Sequence, residues 1–227
     1  MKTIKIGVVY TGTTPELTQM VNDELYKELG DNIEIHSYAC PDVIKEINEV
    51  NYITVNAISH LLLQFAKALE EGADVILNCC SSVGLVVDSL QAFSDYSGVP
   101  IVRIDQDMCE DAVRKGERIA VIATLSSTLL PTVETIKKCG RKFNKRIEII
   151  PCVIEGAFGL AQEEFKKVIL YNVKEYATTA DVVLFAQGSM AYAAPYIITE
   201  TGKVVLASPE YGAKKVKKVL QQKGLLK

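Results

Sequence analysis

The amino-acid sequence predicts an α/β protein of two pseudo-symmetric lobes, each built on a parallel sheet. Three observations lead there. Short β-branched runs alternate with stretches of helical periodicity. The runs are apolar throughout rather than alternating polar and apolar, as strands covered on both faces must be. Runs in the first half also have counterparts, in the same order, in the second.

The strand candidates of the first half are "KTIKIGVVY", "NIEIHSYA", "DVILNCC" and "PIVRI". Those of the second are "RIAVIAT", "RIEIIPCVI", "DVVLFAQ" and "KVVLAS". Between them, Ile58, Leu61, Leu62, Phe65 and Leu69 recur at helical spacing. Val83 to Phe93, Leu129 to Lys138 and Phe165 to Ala177 read the same way.

The internal duplication rests on two alignments. Ala73-Asp74-Val75-Ile76-Leu77-Asn78-Cys79-Cys80 matches Ala180-Asp181-Val182-Val183-Leu184-Phe185-Ala186-Gln187 without gaps, identical at four of eight positions. Ser82 then falls on Ser189. Ile6 to Thr11 likewise matches Ile119 to Thr124, each opening its half.

Composition excludes several classes. A 227-residue chain with 48% hydrophobic content can bury one sizeable core or two small ones. A formal charge of -3 lacks the basic surplus of a nucleic-acid binder. The C-terminal lysines, Lys214, Lys215, Lys217, Lys218 and Lys223, read as a solvated helix face rather than a membrane anchor. There is no signal-like N-terminus and no apolar stretch long enough to span a bilayer, so the expectation is a cytoplasmic protein. Six cysteines without a C-x-x-C pair, beside only His36 and His60, argue against a structural zinc site. Cys40, Cys109, Cys139 and Cys152 read as small core residues. No P-loop, G-x-G-x-x-G, H-E-x-x-H or G-x-S-x-G motif occurs.

In open α/β sheets, ligands bind beyond the carboxyl ends of the strands. That rule singles out the loops Thr11–Pro15, Cys80–Gly84, Thr124–Thr128 and Gln187–Met190. They are rich in hydroxyls: Thr11, Thr13, Thr14, Ser81, Ser82, Thr124, Ser126, Ser127, Thr128 and Ser189. Each leads toward a helix N-terminus, where free N–H groups favour an anion, so a small carboxylate is the expected ligand. Taken singly, any of these residues could equally be an N-cap. Cys80 is the last strand residue before Ser81 and Ser82 open a helix, a position expected to lower a thiol pKa; Cys79, facing the other way, is expected to be packing.

The chain resembles the aspartate/glutamate/hydantoin racemase superfamily. The likeness runs through "IKIGVVYTGTTPEL", "GADVILNCCSSVG", "PIVRIDQDMCEDAV", "RIAVIATLSSTLLPT", "VIEGAFG" and "DVVLFAQGSMA", with C-S-S-V-G and A-Q-x-S-M marking a subgroup. The resemblance implies Rossmann-like or flavodoxin-like lobes, at 1–104 plus 209–227 and at 105–208, with the site in the inter-lobe cleft. It further implies a C-terminal helix, about Pro209 to Lys227, returning to the first lobe, a cofactor-independent reaction, no metal, and a homodimer. In the superfamily a cysteine from each lobe flanks the substrate α-carbon. Cys80 occupies the first of these positions, but the second is Gln187, and a carboxamide is not a base near neutral pH.

Three one-thiol chemistries remain open. Cys80 could work with another group, such as Glu155, His60 or a water held by Gln187, to epimerise an amino acid or related 2-substituted acid. It could protonate the carbanion left by decarboxylation, as in the related arylmalonate decarboxylases. It could also add to an activated double bond, as in the related maleate isomerases. Glu155 could equally cap or pair at a strand end, and His60 could simply pack on its amphipathic helix. Outside catalysis, the chain could be a small-carboxylate-binding module in which Cys80 only lines the pocket and Asp105, Asp107, Glu110 and Asp111 form a solvated segment.

Overall fold

The computed structural model describes residues 3–226; Met1, Lys2 and Lys227, at the ends of the expected first lobe, lie outside the described residues. The chain divides into two compact units, Met1–Ile104 with Pro209–Lys227, and Asp105–Ser208.

The first unit runs β1 (Ile4–Tyr10), α1 (Pro15–Leu29), β2 (Ile33–Ala39), α2 (Pro41–Val50), α3 (Val55–Glu70), β3 (Val75–Asn78), α4 (Gly84–Ser89), α5 (Gln91–Ser97) and β4 (Ile101–Arg103). Its sheet is parallel in the order β2-β1-β3-β4. Strand alternation sends Val8 and Leu77 into one core and Val9 and Ile76 into the other. The first core is closed by Leu17, Val21, Leu25 and Leu29 of α1, a stripe at four-residue spacing. Each such side chain contributes about 1.5–3 kcal/mol over its exposed state. The second core is closed by Val43 and Ile47 of α2 and by Ala57, Leu61, Phe65 and Ala68 of α3.

The second unit continues with α6 (Gln106–Lys115), β5 (Arg118–Ala123), α7 (Ser126–Lys142), β6 (Glu148–Val153), α8 (Gln162–Tyr176), β7 (Val182–Phe185), α9 (Ala194–Thr201) and β8 (Val204–Leu206). Its parallel order, β6-β5-β7-β8, is the same permutation as that of the first sheet. Phe165, Ile169 and Val173 of α8 and Ile197 of α9 pack on Ile122, Val183 and Phe185. Helix α10 (Ser208–Gln222) then follows, and its Ala213, Val216 and Leu220 join the α1 core of the first unit.

Two helical expectations are corrected. Val83 to Phe93 is not one helix: a 3-10 turn, Ser81–Val83, leads into α4, and α5 begins after a break at Leu90. Tertiary hydrogen bonds set that break. Gln91 Nε2 donates to the carbonyls of Val87 (3.1 Å) and Ile101 (3.4 Å), and Ser94 Oγ accepts from the N–H of Ile101 (3.1 Å). On α3 the inward stripe is Ala57, Leu61, Phe65 and Ala68, which leaves Leu62 at the exposed margin. The segment 105–111, read under one alternative as solvated, is largely the start of α6, with Asp105 and Glu110 buried.

Candidate active site

The carboxyl edge of the first sheet sets four side chains on one face. Because Val9, Tyr38, Ile76 and Ile101 all enter the α2–α3 core, the same alternation carries Cys40, Thr11, Cys80 and Arg103 to that side. Cys40 belongs to that core and Cys80 packs against it, whereas Cys79 packs against the α1 core on the opposite face. Cys80 is extended (φ -134°, ψ 113°) and directly precedes the Ser81–Val83 turn. Asn78, buried at the end of β3, donates from Nδ2 to the Cys80 carbonyl at 2.8 Å.

Burial pushes the Cys80 thiol up, against the pull of the Thr11 hydroxyl, the N–H groups of Ser82 and Val83, and the Ser82 hydroxyl. This corrects the expectation of a lowered pKa. The helix start is a three-residue turn feeding a six-residue helix, so its axial field is small and desolvation dominates. Cys79 is pushed well up by burial and by the neighbouring Cys80. Cys40 is pushed up to about 11 by burial and by Cys80, and its thiol donates to the Tyr10 carbonyl at 3.3 Å.

The hydroxyls expected to bind substrate divide into two kinds. Thr11 is 1% exposed, and apart from its pull on the Cys80 sulfur its Oγ1 has no hydrogen-bond partner among the described residues. Ser81 and Ser82 are buried in the turn itself. Thr14, by contrast, is the N-cap of α1, accepting from the N–H of Leu17 at 3.3 Å, and exposed Thr13 shares a 2.8 Å hydrogen bond with Thr18.

The second unit repeats this geometry with different chemistry. Gln187 (φ -114°, ψ 130°) precedes the 3-10 turn Gly188–Ala193 as Cys80 precedes its own. Its Oε1 accepts from the N–H (2.7 Å) and Oγ1 (3.0 Å) of Thr124, and its Nε2 approaches Thr124 Oγ1 at 2.8 Å. Thr128 is buried near the start of α7, while Ser127 and Ser189 are half-buried. Glu155 is exposed beyond β6, and His60 is half-exposed on α3. Among the described residues, no group of three or more His, Cys, Asp or Glu is placed to hold a metal ion, and no helix is long and apolar enough to cross a membrane.

Sequence reasoning missed Asn78 and Arg103. Both read as strand residues, and only the sheet register, which pairs them, and the bond to Cys80 reveal their place beside the turn.

The model of the Asp/Glu/hydantoin racemase family matches residues 6–216. The chain belongs to that family. No curated protein sequence matches the chain. Among solved structures, a glutamate racemase from Bacillus anthracis superposes with a TM-score of 0.71 at 16% identity, over 100% of this chain and 85% of that one. An allantoin racemase from Klebsiella pneumoniae gives 0.62 at 17% identity, covering 98% and 89%. An aspartate racemase from Picrophilus torridus gives 0.65 at 14% identity, covering 99% and 96%. These likenesses carry the fold of the two-unit racemases to this member.

Proposed function

We propose that this family member is a cofactor-independent isomerase in which Cys80 moves a proton at the α-carbon of a small carboxylate, an amino acid or related 2-substituted acid. The observation that carries the reading is the setting of Cys80. A half-buried thiol stands at the carboxyl end of β3, with the N–H groups of Ser82 and Val83 and the hydroxyls of Thr11 and Ser82 favouring its thiolate. Such a thiol takes a proton as thiolate and returns it as thiol. The buried Thr11 hydroxyl beside it, with Ser81 and Ser82, supplies polar groups for a substrate carboxylate. Thr13, Thr14, Thr124, Ser127, Thr128 and Ser189 serve as support around the strand ends, Thr14 through its cap. Glu155 is retained only as a candidate second acid or base.

A second reading draws on one specific observation. The Gln187 carboxamide is engaged by Thr124, so this position supplies neither a thiol nor a free base. That favours one-sided chemistry at Cys80, namely decarboxylation of an arylmalonate-type acid or thiol addition to a small unsaturated dicarboxylate.

Incubation with pooled amino acids, hydantoins, malonates and maleate in deuterated water separates these readings. Racemisation shows as α-deuteration of both enantiomers, decarboxylation as a monodeuterated monoacid, and isomerisation as fumarate formed from maleate. Turnover that survives Cys80→Ala overturns the thiol assignment. Binding without exchange or product, unchanged in Cys80→Ser, points instead to a binding module.

A further inference from the structure

We propose that Arg103 is a positioning residue for the Cys80 turn, clamping the start of α4 so that the N–H groups of Ser82 and Val83 stay directed at the Cys80 sulfur. The proposal rests on the reading of Cys80 as the reacting thiol. Arg103 ends β4, with its side chain only 3% exposed, and Nη1 donates to Asp88 Oδ2 at 3.1 Å. A buried guanidinium must be paired, and its partner here lies on α4, the short helix that follows the turn.

Gly84 supplies the second contact. Its backbone is ordinary right-handed helix (φ -56°, ψ -35°), so conformation does not call for glycine. Space does: a Cβ at Gly84 would lie 2.5 Å from Cζ and Nη2 of Arg103 and 2.8 Å from Nε. The guanidinium therefore lies flat against the first residue of α4 while also holding Asp88. Asn78, the register partner of Arg103, ties the other end of the turn through its bond to the Cys80 carbonyl. A three-residue turn and a six-residue helix have little stability of their own, so these ties fix where their N–H groups point. Arg103 acts through the turn rather than on the substrate.

The test reads the pH profile of Cys80 alkylation by iodoacetamide, resolved by peptide mass spectrometry. Buried Cys40, in the same unit, and Cys109 and Cys139, in the other, act as internal reporters of folding. Arg103→Met is expected to raise the midpoint of the Cys80 profile and slow labelling at pH 8 by about three- to tenfold, the equivalent of half to one pH unit. Gly84→Ala is expected to do the same by displacing the guanidinium, and Gly84→Ala/Arg103→Ala to shift no further than Arg103→Ala alone, because both changes act on one contact. An unchanged profile in Arg103→Met, with Cys40, Cys109 and Cys139 still protected, overturns the proposal. Should Arg103→Met expose those cysteines, Asp88→Asn and Arg103→Lys decide: a smaller upward shift in both supports the clamp, and no shift in either overturns it. The two readings fail separately. Exchange retained in Cys80→Ala removes the catalytic role while leaving the labelling result intact. Exchange lost in Cys80→Ala, beside an unshifted Arg103→Met profile, removes only the clamp.

Discussion

The ends of β1 and β3 in the first unit and of β5 and β7 in the second are built alike and finished differently. In each, a threonine follows a central strand, and the next strand reaches a 3-10 turn through two residues, the second of them extended. In the second unit the pair is Thr124 and Gln187, and the carboxamide answers both the N–H and the hydroxyl of the threonine. In the first it is Thr11 and Cys80, and among the described residues the threonine hydroxyl has only the sulfur to act on. One edge is tied by its own hydrogen bonds; the other places a buried hydroxyl beside a titratable group. A buried hydroxyl beside a thiol is the kind of group a bound carboxylate would engage, and this difference is what supports the proposal that the first edge is the functional one.

The most drastic way to break the comparison is to remove each edge's key side chain. Cys80→Ala is expected to lower solvent-deuterium exchange into the substrate by about 10²–10⁴-fold, the span of a lost acid–base group. Gln187→Ala should change the rate far less, because a carboxamide neither gains nor loses a proton near neutral pH. Equal losses in the two variants, measured on folded protein, would erase the asymmetry. Gln187→Cys is the converse experiment: two-sided racemisation gained by that variant would mean that the natural enzyme works from one side.

Stability should follow the opposite order. Gln187→Leu strands the buried N–H of Thr124 and is expected to cost about 1–3 kcal/mol in urea unfolding. Thr11→Val removes a hydroxyl whose pull falls on the Cys80 sulfur alone and should stay within about 0.5 kcal/mol of the parent, or gain slightly. A larger loss in Thr11→Val than in Gln187→Leu would mean that the first edge is structural after all.

Much of this was legible in the sequence because parallel strands leave a strong mark. Apolar runs, repeated in order, placed the eight strands of the described residues, and the aligned positions of Cys80 and Gln187 occupy equivalent backbone sites. What was not legible depends on contacts between distant residues. The break at Leu90 comes from Gln91 and Ser94 reaching the β4 segment, which local periodicity cannot report. The direction of the Cys80 shift was misjudged because sequence shows the N–H groups ahead of the thiol but not the desolvation around it. Arg103 reads as one polar residue in "PIVRI", and its approach to Gly84 and Asp88 exists only once β4 lies beside β3.

The smallest expected effect is the most diagnostic of how the first edge is tuned. With its pKa raised by burial, Cys80 as a base gives a rate that climbs with pH, and the climb should continue above the ordinary thiol range, about 8.5. Thr11 works against burial, so Thr11→Val must move the midpoint of that limb further upward; a downward move would give Thr11 the opposite role. Cys79 lies on the other face and is pushed up by Cys80 as well as by burial. It should therefore alkylate more slowly than Cys80 at every pH below both midpoints. In Cys80→Ala the coulombic part disappears, and Cys79 labelling should quicken. Unchanged Cys79 labelling in that variant would mean that the two adjacent thiols titrate independently, each governed by its own face of the sheet.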